Sequence, residues 1–126
     1  MSTIKVDNLQ TTGGADLYPA RAWISMNGKG TVAIRNDGNI SSLTDNGVGD
    51  YTANFSTALS TSSHGMSSAV AAYGPSDPGS SDVYLRSSSG TFGANPTLST
   101  SSVRVEVGTN GAANFDYGYV SWTIMT

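Results

Sequence analysis

The chain contains no cysteine, which excludes disulfide staples, thiol catalysis and thiolate metal sites. It also carries little charge. Charged residues make up 12% of its 126 positions and hydrophobic residues 37%, against globular averages of roughly 25% and 45–50%. Disordered chains pair low hydrophobicity with high charge. Here both are low, and six Tyr, three Phe and two Trp supply material for a folded core. The six basic residues, Lys5, Arg21, Lys29, Arg35, Arg86 and Arg104, are scattered, and the net charge is −3. Phosphate-backbone binding needs clustered cations, so no nucleic-acid partner is expected. No stretch approaches the roughly 18 apolar residues of a membrane span, so no membrane insertion is expected. The N-terminus, "MSTIKVDNLQTTGG", has neither the apolar segment nor the cleavage pattern of a signal peptide.

Catalytic signatures are equally sparse. His64 is the one histidine and Glu106 the one glutamate. A Ser-His-Asp triad would have to use His64, and no G-x-S-x-G elbow accompanies it. A glycosidase needs two carboxylates across a cleft, whereas the alternation of "VRVEVG" makes Glu106 a solvent-facing partner of Arg104. No phosphate loop, dinucleotide fingerprint or H-E-x-x-H motif occurs. No enzyme activity, catalytic residue or cofactor is therefore expected. The best metal candidate is "DNGVGD", with Asp45, Asn46 and Asp50. An EF-hand loop requires Gly at its sixth position and Glu at its twelfth. Here Gly47 comes too early, and the twelfth residue from Asp45 is Ser56. A looser oxygen site shared between loops or subunits stays open. The stretch reads better as a hairpin turn, with Asp and Asn side chains bonding their own backbone and Gly47 and Gly49 permitting the reversal. No metal is expected.

What the chain does have is Ser, Thr, Gly, Asn and period-2 alternation. "ARAWISMNG" places Ala22, Ile24 and Met26 on one face and Arg21, Trp23 and Ser25 on the other, so Trp23 is expected to be exposed or to serve a second packing surface. "TVAIRN" is a strand with Val32 and Ile34 on one side. "NDGN", at 36–39, is a strong turn signal. "ISSLTD" and "YTANFSTAL" follow, and the three strands with two tight turns read as a β-meander. "SSHGMSSAVAAYG" is read as a strand through Val70 to Tyr73. "VYLRS" is a short strand. Val103, Val105 and Val107 face inward. "FDYGYVSWTIMT" is a final strand with Tyr117 and Tyr119 on one face and Val120, Trp122 and Ile124 on the other. The fold expected is all-β: a single antiparallel β-sandwich, jelly-roll-like, of about eight or nine strands over residues 1–126. Residues 1–14 form an N-terminal strand or arm with its linker. "STIKVDNLQ" alternates, and the "TTGG" after it leaves two readings open, an edge strand of this domain or an arm pairing with another subunit.

The segments "STIKVDNLQTTGG" and "YPARAWISMNGKGTVAIRNDGNISSLTDNGVGDYTANFSTAL" closely resemble a module in tail-fibre and other virion structural proteins of tailed bacteriophages, particularly marine and cyanobacterial ones. The resemblance is specific over the first half of the chain. It is looser over the second half, which keeps the "SSVRVEV" strand, Asp116 and the closing "YVSWTI". Ser25 and Met26 stand where the module has Asn and Phe. The resemblance implies a non-enzymatic, β-rich structural protein that oligomerises on the virion, with a trimer favoured, and that contacts other tail or capsid proteins. A short tail fibre or fibre tip is the leading expectation. A capsid decoration or head-fibre protein, or a lectin-like carbohydrate-binding module, is the alternative. Within that reading, Ile4, Lys5, Val6 and Leu9 are expected to carry attachment by strand addition. Tyr73, Tyr84, Phe92 and Asn95, on or beside the Ser/Gly/Asn loops of the second half, are expected to form a distal surface that could meet a host glycan.

Overall fold

A computed structural model of the protein describes residues 2–3, 10, 12–14, 20–63, 65–71, 82–85, 99–109 and 113–126. Every regular element among them is a strand. The order is β1 (Ala20–Asn27), β2 (Ala33–Gly38), β3 (Ile40–Gly47), β4 (Asp50–Phe55), β5 (Gly65–Ala71), β6 (Asp82–Leu85), β7 (Ser102–Thr109), β8 (Ala113–Asn114) and β9 (Tyr119–Met125). The strands pair antiparallel in two sheets, β2-β1-β9-β5 and β3-β4-β7-β6, and β8 adds to β7. This is the all-β antiparallel sandwich expected. The strand number differs slightly from expectation: seven strands carry the frame, and β6 and β8 are short additions of four and two residues. The chain changes sheet between β2 and β3, β4 and β5, β5 and β6, and β8 and β9, and β1 lies beside β9.

The core follows from the alternation. Ala22, Ile24 and Met26 of β1 and Val120, Trp122 and Ile124 of β9 are buried from the first sheet. Tyr51, Ala53 and Phe55 of β4 and Val103, Val105 and Val107 of β7 meet them from the second. Each large apolar side chain fully buried there contributes about 1.5–3 kcal/mol. β5 pairs with β9 without a register shift from Gly65↔Met125 to Ala71↔Tyr119. The strand thus begins well before Val70, and Met66 and Val70 pack against the core.

Two readings of local order are corrected by the topology. The meander does not form, because β2 and β3 lie in different sheets. Asn39 makes the corner with a left-handed φ of 60°, a conformation Asn tolerates better than most residues. Its amide donates to the Arg21 carbonyl (3.1 Å) and the Thr57 carbonyl (3.0 Å), and its Oδ1 accepts from the Thr57 N–H (2.8 Å). One side chain therefore ties β1 to the segment after β4. The last strand also starts later than its hydrophobic pattern, at Tyr119. Tyr117 is fully buried, while Tyr119 is 41% exposed. They do not share a face, because the chain from Phe115 to Gly118 is not extended strand and the two-residue parity fails across it.

Candidate functional site

The "DNGVGD" stretch closes the β3–β4 hairpin. Asp45 Oδ1 accepts from the Gly47 N–H (3.0 Å), and the Asn46 amide donates to Thr52 Oγ1 (2.9 Å) and Asp50 Oδ1 (3.3 Å). Gly49, at φ 60°, enters a space no side chain could share: a Cβ there would collide with the Val107 carbonyl and the Phe115 backbone. Its N–H donates to Asp116 Oδ1 (2.8 Å), and its carbonyl accepts from the Val107 N–H (2.7 Å). The same Asp116 oxygen accepts from the Tyr51 hydroxyl at 2.7 Å, and that hydroxyl lies 3.3 Å from the Gly28 carbonyl. Burial first, then the hydrogen bond to Asp116 and the negative charges of Asp116 and Asp45, push the Tyr51 phenol well above its ordinary value. It stays a neutral donor. The cluster is a lock between two loops, and the fully buried Tyr51 offers no surface to a substrate.

The outer face of β4 and β7 carries the charged residues. Arg104 grips Asp50 with two bonds, Nε to Oδ1 (2.9 Å) and Nη2 to Oδ2 (2.7 Å). This hydrogen bonding raises the guanidinium above its ordinary value. Glu106 is not the solvent-facing partner of Arg104 that alternation suggested. It is 7% exposed and accepts from the Asn114 amide at 2.9 Å. The register explains the exchange: Arg104 pairs with Thr52 and Glu106 with Asp50, so Arg104 reaches its acid diagonally. Among the described residues, no three His, Asp or Glu side chains come together as a metal-ligand set.

The outer face of the first sheet is different in kind. Three of its side chains, Trp23, Tyr119 and Met125, are large, apolar and 37–41% exposed. Between and beside them the paired rows place Ser25, Ser121, Thr123, Ser67 and Ala69. Gly38 stands opposite Trp23, and the indole lies so close over it that a Cβ at Gly38 would strike the five-membered ring. Arg35 is the extra residue of a bulge, since Ile34 pairs with Met26 and Asn36 with Ser25. Bulges re-aim side chains, and this one sends Arg35 across β1 to β9. There Arg35 Nη2 donates to the Gly118 carbonyl (2.6 Å), and the guanidinium lies 5.7 Å from the centre of the Tyr119 ring. Asn27, Lys29, Arg35, Gly118 and Tyr119 line an open hollow of about 340 Å³. Asn27 shapes its turn by donating to the Lys29 and Thr31 carbonyls (2.7 and 2.9 Å). A second hollow, about 360 Å³, lies at the end of the sandwich beside Arg21, Asn39, Leu59 and Thr126.

Most residues singled out from the sequence are not placed by these observations. Ile4, Lys5, Val6, Leu9, His64, Tyr73, Phe92 and Asn95 lie outside the described residues. Tyr84 stands on β6 opposite Glu106, on the second sheet. Trp23 is exposed, as its polar neighbours indicated. Nothing in the sequence marks Arg35, Lys29 and Tyr119 as neighbours. The two cations are six positions apart and Tyr119 is far along the chain, so no local motif joins them. Comparison with known proteins returns no matching family model, no matching curated protein and no matching solved structure.

Proposed function

We propose that this chain is a non-enzymatic structural protein of a bacteriophage virion: a short tail-fibre-like or fibre-tip component that oligomerises, as a trimer, and contacts the host surface. The observation that carries the reading is the ordered resemblance of residues 2–14 and 18–59 to the phage module. An all-β sandwich suits it. The hairpins β1–β2 and β3–β4 both fall within the matching stretch, which fits a shared framework rather than a variable recognition surface. The N-terminal segment Ser2–Leu9 is assigned the inter-subunit or attachment strand. Capsid decoration differs from the tail reading only in location. Mass analysis of separated tail and capsid fractions tests both: the chain belongs in the tail fraction, and its recovery in capsids alone moves it there. Recovery in neither rejects a virion role.

A second reading, a lectin-like carbohydrate-binding module, is favoured by one observation: Trp23 and Tyr119 stand exposed on one sheet face. The two readings are compatible when the fibre protein is also the part that meets a glycan. Light scattering on the purified chain separates the assembly question from the binding question. The trimer reading expects three times the 12.9 kDa chain mass, and deletion of Met1–Leu9 should return the protein to one chain. Unchanged mass after that deletion removes the assigned role of the arm.

A further inference from the structure

We infer that the outer face of the β2-β1-β9-β5 sheet binds an acidic oligosaccharide, with a sugar carboxylate at Arg35 and Lys29 and sugar rings along the surface from Tyr119 to Trp23. Charge is the first argument. Among the described acids, Asp45, Asp50, Asp82 and Glu106 all lie on the second sheet. Asp116, before β9, is engaged by the Gly49 N–H and the Tyr51 hydroxyl. On the first sheet the only described acid is Asp37, which sits in the row of inward-facing Ile24. The described cations on or beside the first sheet are Arg21, Lys29 and Arg35, and Arg104 lies on the second. A protein of net charge −3 therefore places four of its six described acids on the sheet opposite this face. Segregation of this sort raises the local concentration of an oppositely charged ligand.

The second argument is construction. Arg35 is held in place by the bulge, the Gly118 carbonyl and the Tyr119 ring. A guanidinium has five N–H donors, and among the described residues one is committed, to Gly118. The fork that remains matches a carboxylate. The hollow beside it, at about 340 Å³, falls at the small end of ligand-site sizes.

The third argument is the surface that runs from the hollow. Tyr119 is four residues from Thr123, which pairs with Trp23, a separation of about 13 Å along the strands. Over that length the side chains are hydroxyls and small groups, namely Ser25, Ser121, Thr123 and Ser67, with an exposed aromatic at each end. Sugars present hydroxyls at their edges and C–H groups on their faces. A floor of hydrogen-bonding oxygens between two aromatics suits a chain of them, and the extent suits an oligosaccharide rather than one ring.

This inference rests on the surface-contact part of the proposed function and not on virion location, so the two fail separately. The probes are trigalacturonic acid and sialyllactose, with methyl-esterified trigalacturonate and lactose as uncharged counterparts. Each is titrated into the full chain by calorimetry and by tryptophan fluorescence. Because Trp122 is buried and Trp23 exposed, binding should change the Trp23 signal. At least one acid should bind saturably and at least tenfold more tightly than its counterpart. Arg35→Gln should abolish that preference, and Lys29→Gln, on the exposed β1–β2 turn, should reduce it. Trp23→Ala should weaken acid and neutral sugar alike. Thermal melts establish that each variant folds, and Lys29→Gln keeps the test open if Arg35→Gln does not. No saturable binding of either acid, equal binding of acid and neutral sugar, or retention of the preference in both charge variants overturns the proposal. So does a fall in oligomer mass on Trp23→Ala, which would make this face a contact between copies of the chain.

Discussion

Two tyrosines with the same burial play opposite roles. Tyr51 and Tyr117 are both fully buried, yet the Tyr51 hydroxyl bonds Asp116, whereas the Tyr117 hydroxyl has no hydrogen-bond partner among the described residues. A buried polar group without a partner costs free energy, and one bonded to a charge contributes about 1.5–3 kcal/mol. Tyr117→Phe should therefore leave stability unchanged or raise it by about 1 kcal/mol. Tyr51→Phe should lower it by about 1.5–3 kcal/mol. Urea denaturation of the two variants beside the parent compares them directly. The Tyr51 phenol also gives an alkaline limit. Below about pH 10 it is neutral folded and unfolded, so its contribution is constant. Above that, the unfolded chain ionises it while the folded chain, with its raised value, does not. Stability then falls with pH by up to about 1.4 kcal/mol per unit for this group. Tyr51→Phe should flatten the decline between about pH 10 and 11.5 in melts; an equal slope in parent and variant refutes the assignment.

At the level of the strands, turns decide which sheet each one joins. The β3–β4 turn needs Gly49 twice over, for its positive φ and for its approach to Val107 and Phe115. Gly49→Ala should cost well over about 1 kcal/mol, because strain and collision add. Gly47→Ala is the useful comparison. Gly47 has φ 138° but no atom within 4 Å of the place a Cβ would take, so its replacement carries the strain alone and should lower the melting temperature less. The Asn39 corner makes three hydrogen bonds with one side chain. Asn39→Gly keeps the backbone free to take φ 60° and removes the bonds, so its loss, about 1–3 kcal/mol, measures the side chain. Asn39→Ala should lose more, by the cost of a left-handed non-glycine residue, about 1–2 kcal/mol. Equal midpoints for the two variants would show that the backbone conformation contributes nothing.

Across the whole molecule, stability concentrates in the layer between the sheets and recognition is assigned to one outer face. Trp122 is the largest fully buried side chain. Trp122→Ala should cost about 3–5 kcal/mol, a large part of the roughly 5–15 kcal/mol by which domains hold together. Loss of cooperative melting is the expected readout. The outer faces divide the charge, with the Arg104–Asp50 pair and Glu106 on the second sheet and Arg35 beside a partly aromatic surface on the first. Arg104→Ala leaves the largely buried Asp50 carboxylate without its two-pronged partner. It should lower stability without affecting sugar binding on the opposite face, and fluorescence titration of a folded variant checks that separation.

The period-2 alternation was sufficient to sort the residues of β1, β4, β7 and β9 into two faces. A strand half buried in a sandwich exposes every second side chain whatever its neighbours are, so that information is local. The hairpin at "DNGVGD" was legible for the same reason, because Asp45 bonds the Gly47 N–H and Gly47 and Gly49 take positive φ, whereas the Asn46 amide bonds the Thr52 and Asp50 side chains instead of its own backbone. Sheet membership was not legible. "NDGN" signals a sharp turn equally well when the next strand pairs back and when it crosses to the other layer, and only the bonds from Asn39 to Arg21 and Thr57 select the crossing. Tyr117 was misplaced because parity counts only along continuous strand. Glu106 looked solvent-exposed because the sequence does not reveal that Asn114 returns beside it. The candidate site was hidden most completely. Arg35 meets Tyr119 through a bulge on one strand, a reach across a second and a register with a third. Each of those is set by packing between residues distant in sequence, and that is the part of this protein that the tertiary structure alone decided.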